Sequence, residues 1–133
     1  RGAPDIRLHE IDVARPLEIA GERIVPVSGH HSERFEVTGY RIGRMAYLTD
    51  FKTIADAEVG KLIGVELLVV NALRFRPHPS HFNVEEALAL IARVAPRRAL
   101  ITHVSHEIGR HAATTALLPR GVELAYDGLE III

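Results

Sequence analysis

The chain has no cysteine and no tryptophan, and aromatic residues make up only 5% of its 133 positions. Without thiols it can form no disulfide, hold no Cys-ligated zinc and offer no thiol nucleophile. With so few rings, stacking on bases or sugars cannot dominate recognition. Long hydrophobic runs are lacking too. "GVELLVVNAL" and "LEIII" are among the longest, well short of the roughly 20 apolar residues that a membrane helix needs. The N-terminal string "RGAPDIRLHE" has no apolar signal core. Charge of one sign is not in excess: 16 Lys and Arg stand against 17 Asp and Glu, a formal net charge of -1. That balance gives no electrostatic reason to expect nucleic acid or an anionic membrane as partner. The expectation is a cytoplasmic protein.

What is present is ordinary except for histidine. Apolar residues make up 47% and charged residues 25%, the balance of a folded globular domain. The length suits one unit with a real core, residues 1–133. Eight histidines are many for such a chain. Imidazole is the commonest metal ligand and the side chain that titrates near neutral pH.

The first half reads as antiparallel strands. "IRLHEID" (6–12) alternates apolar and polar residues, the period of a half-exposed strand. "PLEIA" and "RIVPVSG" form a hairpin with its turn at Gly21-Glu22, and "VTGYRIG" pairs with "MAYLTD" through Gly43-Arg44. The second half changes style. "VELLVV" is a β-branched apolar run of the kind buried on both faces. "NVEEALALIARVAP" is a helix with Asn83 as cap, Glu86 completing a capping box, and Leu88, Ile91 and Ala92 on one face. "RALITHV" is the next strand, and a helix follows from about His106 to Leu118 with Ser105 as cap. "VELAY", "DG" and "LEIII" close the chain as strand, turn and strand. The fold class is α/β: β-hairpins followed by β-α-β-α-β.

The polar groups that carry chemistry cluster at strand exits. Asp50 ends "AYLTD", where it either binds a cation or caps a helix starting near Thr53. His30 and His31 end the "RIVPV" strand, as ligands or as part of a polar loop. His78 and His81 lie in the Pro-braced loop "RPHPSHFN", at the sheet edge where α/β proteins place working residues. His103 closes the next strand and His106 opens the following helix. Several His-bearing segments and an aspartate, all at strand exits and with no thiolate, form the ligand set of a catalytic zinc or manganese site.

The strings "GYRIGRMAYLTD", "NALRFRPHPSHFNVEEAL", "LITHVSHEIG" and "LPRGVELAYDGLEI" resemble the C-terminal half of metallo-β-lactamase-fold hydrolases. Within that superfamily they are most similar to the phosphoribosyl cyclic phosphate phosphodiesterase branch, a relative of tRNase Z. The similarity runs over roughly residues 25–133. It implies half of an αββα sandwich and two divalent ions, zinc or manganese, in the complete protein. It also implies a phosphodiesterase acting on a small cyclic or other phosphate ester through water activated between the two ions. By the same resemblance Asp50 is the carboxylate bridging the ions, His31 (or His30) binds one ion, and His103 binds the other. His81 contacts the phosphate and acts as general acid. His106, Asp127 and His78 are assigned to the phosphate pocket or to groups supporting the ligands, and Asp127 or Glu107 could accept a ligand imidazole N–H.

One departure stands against the match. The superfamily signature H-x-H-x-D-H occurs nowhere in this sequence, and the full fold commonly takes about 250 residues. The expectation is a C-terminal half whose N-terminal half, bearing that signature, lies elsewhere, most simply in a longer hydrolase. A lone half exposes an apolar sheet face that invites pairing with the missing half or homodimerisation. The alternatives are a tRNase Z-like RNA-processing nuclease and a non-catalytic half-domain serving as an interaction module. With only His31, Asp50 and His103 to coordinate two ions, this chain by itself is expected to bind zinc and manganese weakly. Metal analysis after dialysis of the isolated polypeptide checks this; tight uptake of two ions per chain refutes it.

Overall fold

A computed structural model describes residues 6–133. Seven strands form one sheet in chain order: β1 (Leu17–Ile19), β2 (Glu22–Ser32), β3 (Phe35–Ile42), β4 (Met45–Leu48), β5 (Leu67–Asn71), β6 (Arg98–Thr102) and β7 (Val122–Leu124). β1 to β4 pair antiparallel through tight hairpins, and β4 to β7 pair parallel. The parallel strands need crossovers, and helices supply them. These are α1 (Asp56–Gly60), α2 (Val84–Val94) and α3 (His111–Thr115). The α/β class is as the sequence implies, with hairpins first and β-α-β units after.

Local chemistry accounts for most elements. Ile42 pairs with Met45 across Gly43-Arg44, and Gly43 takes φ 54°, a conformation that glycine adopts without strain. The first hairpin turns one residue earlier than expected. Ile19 pairs with Glu22, and Ala20 and Gly21 both hold positive φ (52° and 84°), the two left-handed central residues of a type I′ turn. α2 begins as its sequence dictates: the Asn83 side chain accepts from Glu86 N–H and Glu86 accepts from Asn83 N–H, each at 2.8 Å. Its buried face is Val84, Ala87, Leu90, Ile91 and Val94. Leu88 is only half-buried and Ala92 is exposed, so the apolar stripe lies about one residue away from the expected one.

Three expected elements do not form. Residues 6–12 are not a strand, because no neighbouring strand takes up their alternation; Ile6 and Leu8 are 75% and 93% exposed. The terminal "LEIII" makes no ladder either, although Leu129 and Ile131 pack on the sheet. The long helix from His106 to Leu118 is two short pieces: a 3₁₀ turn at His106–Ile108, capped by the Ser105 hydroxyl as expected, and α3. Gly109, at φ 96°, breaks it. The reading of Arg1–Glu10 as lacking a signal core lies partly outside the described residues.

The helices cover one face of the sheet. The main core there joins Leu48, Leu68, Val70 and Ile101 from the strands to Val59 and Leu62 near α1 and to Ala87, Leu90 and Val94 of α2. On the other face, among the described residues, Leu67, Val69 and Leu100 pack with Met45, Ala125, Leu129 and Ile131. Tyr47 and Ile42 are 42% and 36% exposed. The sheet is thus dressed on one side and partly bare on the other. Among the described residues no helix is long and apolar enough to cross a membrane.

At the β2 end of the sheet, Gly29 lies flat against the buried Phe51. A Cβ added at Gly29 would stand 2.2 Å from the Phe51 ring and 2.8 Å from Thr53 O. Gly29→Ala is therefore expected to destabilise the fold by about 1–3 kcal/mol through overpacking. Urea denaturation checks this, and an unchanged midpoint refutes it.

Candidate metal centre

The parallel strands all end at one edge, and the chemistry gathers there. Asp50 follows β4 by two residues and His103 follows β6 by one; both hold left-handed backbone, φ 64° and 56°. Left-handed backbone costs roughly 1–2 kcal/mol per residue, so surrounding contacts must hold it. For Asp50 those contacts run through the next residue. Phe51 N–H donates to the Asn71 side-chain oxygen at 2.8 Å, and Asn71 donates back to Phe51 O at 2.9 Å. His30 forms a backbone bridge with Thr53 just beyond. Asp50 therefore caps no helix: α1 starts at Asp56, with Ala55 as its cap residue.

The Asp50 carboxylate is the centre of the group. Its Oδ1 lies 3.2 Å from His81 Nε2 and 3.3 Å from His103 Nε2, and those two nitrogens are 3.1 Å apart. Its Oδ2 accepts from Thr49 Oγ1 at 3.0 Å. His31 Nδ1 faces Asp50 O at 3.0 Å, and the His31 ring meets the His81 ring edge-on at 4.5 Å. His78 stands one step out: Ser80 Oγ lies 3.3 Å from His78 Nδ1 and 3.1 Å from His81 Nδ1. Among the described residues, His31, Asp50 and His81 offer donor atoms within 4.8 Å of one another, close enough to share an ion.

Of the expected residues, the structure brings together His31, Asp50, His81, His103 and, beside them, His78. His31 rather than His30 turns into the cluster, because neighbours on a strand point to opposite faces; His30 is exposed. His106 is exposed on the 3₁₀ turn, and Asp127 is exposed in the turn after β7. Glu107 pairs with Arg74 and Arg76. Thr49, Ser80 and Asn71 escaped the sequence reading. The signal for Asn71 was there, since an amide closes the otherwise apolar run "LLVVN".

The donor set fits a divalent cation. Tetrahedral zinc with bonds of about 2.0 Å sets its ligand atoms about 3.3 Å apart. Asp50 Oδ1 and His103 Nε2, two of the expected ligand atoms, stand 3.3 Å apart, and His81 Nε2 lies 3.2 Å from the same carboxylate oxygen. Protonation is suited to it as well. Burial lowers the His81 pKa below 6.5, opposed by the Asp50 hydrogen bond and reinforced by the charges of His31 and His103. Burial likewise lowers His78, helped by Arg74 and Lys52. At Asp50, burial raises the pKa, but the Thr49 and His81 hydrogen bonds and nearby imidazole charge outweigh it, and the carboxylate falls below 3.8.

These shifts carry a sign for stability. Near pH 6 the folded chain holds fewer protons on His78 and His81 than the unfolded chain does. The stability they contribute is complete above the unfolded value of 6.5 and is lost as pH falls through their folded values. Asp50 adds a further loss only in the acid range below 3.8. Metal-free protein should therefore weaken between pH 7 and pH 5. Urea midpoints across that window check it, and a flat profile refutes it.

Known proteins share this framework. A family model described as the beta-lactamase superfamily domain matches residues 1–104. A PhnP-family diphosphatase of known structure superposes at a TM-score of 0.90 with 35% identity, covering 96% of this chain and 49% of that one. The short form of human tRNase Z superposes at 0.64 with 17% identity, over 85% of this chain and 44% of that one, and so bears on the fold alone. A Porphyromonas gingivalis protein named octanoyltransferase is 37% identical over 133 residues, which is 99% of this chain but 27% of that protein. The chain thus spans about a quarter of that curated relative and about half of the solved structures. With the family model matching most of its length and a near-complete superposition on a PhnP-family enzyme, the chain belongs to the beta-lactamase superfamily, with the metallo-β-lactamase fold of its hydrolases.

Proposed function

We propose that the protein containing this chain is a binuclear metal-dependent phosphodiesterase acting on a small phosphate ester, a cyclic phosphate among the candidates. The observation that carries the reading is the convergence of Asp50, His31, His81 and His103 from four separate segments on one sheet edge. The superposition on a PhnP-family diphosphatase supports phosphorus–oxygen chemistry as the reaction class. The octanoyltransferase name belongs to a protein of which this chain matches only 27%, so acyl transfer is not carried over.

In this reading Asp50, His31 and His103 would hold the ions, zinc or manganese. Bound there, the metal would supply Lewis acidity for water activation and charge to offset the phosphoryl oxygens. The chain's own residues do the rest. His81, bonded to Asp50, is the residue we assign to protonate the departing alkoxide. Ser80 and His78 fix the other edge of its ring. His106 and Asp127 are proposed for the phosphate-facing surround. Further ligands, and a cover for the bare sheet face with its exposed Tyr47 and Ile42, come from an N-terminal half of the same fold.

An RNA-processing nuclease is the second reading, carried by the resemblance of the sequence to a branch related to tRNase Z. The near-zero net charge weighs against it, as it does against nucleic acid generally. A non-catalytic interaction module is the third. Hydrolysis of bis(p-nitrophenyl) phosphate with Mn²⁺ by the full-length protein separates the first from the third. His81→Ala is expected to cut turnover by a factor of about 10²–10⁴ while sparing metal content; Asp50→Ala is expected to abolish both. Loss of metal in His81→Ala would make His81 a ligand instead, and no hydrolysis by the wild type would overturn the enzyme reading.

A further inference from the structure

We propose that Asn71 is the positioning residue of this centre, a buried amide that sets the places of Asp50, His81 and His103 without touching them. Asn71 closes β5 and is completely buried, 0% exposed. Its neighbours in the strand are Leu67, Leu68, Val69 and Val70, so an amide there is out of keeping with a role in apolar packing. Both ends of the side chain are used, and both on one peptide segment: the oxygen accepts from Phe51 N–H and the nitrogen donates to Phe51 O. This is a strand-like pair of bonds made by a side chain to the residue immediately after Asp50.

Phe51 O is then shared. Phe82 N–H donates to it at 2.8 Å, and Phe82 is the residue immediately after His81. The third connection runs through the Asn71 backbone. Asn71 is in register with Thr102, and the next residue, Ala72, donates to Thr102 O at 3.1 Å. Thr102 immediately precedes His103. The Asn71 side chain thus holds the backbone beside Asp50, the same Phe51 O anchors the backbone beside His81, and the end of β5 pairs with the residue before His103. These ties fall where the chain needs constraint most, because Asp50 and His103 both hold left-handed backbone. An apolar residue of the same size would fill the space but would leave Phe51 N–H buried without a partner and free Asp50 to relax.

The consequence is a change in geometry that is separable from a loss of stability. In metal-free protein, cross-relaxation between the ring protons of His81 and His103, whose centroids are 4.8 Å apart, reports the convergence directly. Asn71→Leu is expected to lose those cross-peaks while retaining the far-ultraviolet circular dichroism of a folded chain. Leu100→Ala, a core truncation in β6 that removes none of these hydrogen bonds, is expected to lower stability and keep them. A second arm rests on the metal reading above: Co²⁺ titrated into the protein should bind about tenfold or more weakly in Asn71→Leu, with an altered visible d–d spectrum, and equally well in Leu100→Ala. A third arm needs no variant: hydrogen exchange in the wild type should protect the Phe51 and Phe82 amides as strongly as the amides of β5.

Undiminished imidazole cross-peaks in folded Asn71→Leu, the same loss in Leu100→Ala, or rapid exchange at Phe51 would each overturn the proposal. If Asn71→Leu does not fold, the exchange of Phe51 and Phe82 decides it. A wild type that shows the cross-peaks but takes up no Co²⁺ counts against the metal reading alone, and the role of Asn71 is still decided by the first and third arms.

Discussion

The backbone of Phe51 is the constraint on which the site depends. Its N–H and C=O are both claimed by the Asn71 side chain, and its C=O is claimed again by Phe82. Its ring is fully buried against Gly29, where no Cβ intervenes. Buried backbone groups must be paired, and here the pairing crosses between segments that are distant in sequence. The polar groups at the sheet edge therefore cannot move independently. Strand β2 presses on the ring, β5 grips the backbone, and the loop carrying His81 hangs from the same carbonyl.

Rigidity of that kind makes sense of a cluster that is otherwise electrostatically uncomfortable. Asp50 Oδ1 and two imidazole nitrogens lie within about one hydrogen-bond length of one another, and burial disfavours charge on His81. The interior supplies only part of what would quiet it: the Thr49 hydroxyl for one carboxylate oxygen, and Ser80 for the outer edge of His81. The left-handed conformations of Asp50 and His103 add a conformational cost. Groups kept close together, short of protons and strained in backbone are the usual marks of a working site rather than of a stability element. A cation with bonds of about 2.0 Å fits the 3.3 Å between Asp50 Oδ1 and His103 Nε2.

The two faces of the sheet divide the labour. One face is closed by α1, α2 and the segment around Ile108, and its packing holds the strand ends in place. The other carries a short apolar stripe with, among the described residues, the chain end packed across it. In the solved structures that resemble this chain, the matched part is about half of the molecule. The edge that carries the histidine cluster is thus built within the matched part, and in the function proposed above the bare face is the surface a complementary half would cover.

How much of this was legible in the residues depended on the range of the interactions involved. The capping box at Asn83 and Glu86, the turn at Gly43, the apolar runs of β5 and β6, and the gathering of histidines at strand exits all follow from contacts a few residues apart. Resemblance in "YLTD", "HPSH" and "LITH" pointed to Asp50, His81 and His103, which the fold does bring together. Other readings failed where a partner was required. The alternation of residues 6–12 found no strand to pair with, and "LEIII" none to join; Gly109 divided a helix that the residues on either side of it would continue. The choice of His31 over His30 needed the side-chain direction set by β2. Asn71 was visible as an oddity in an apolar run, but its purpose was not. A side chain's local sequence shows that it must find a hydrogen-bond partner in the interior; which peptide that partner is depends on how segments 20 residues apart are brought side by side, and only tertiary packing settles that.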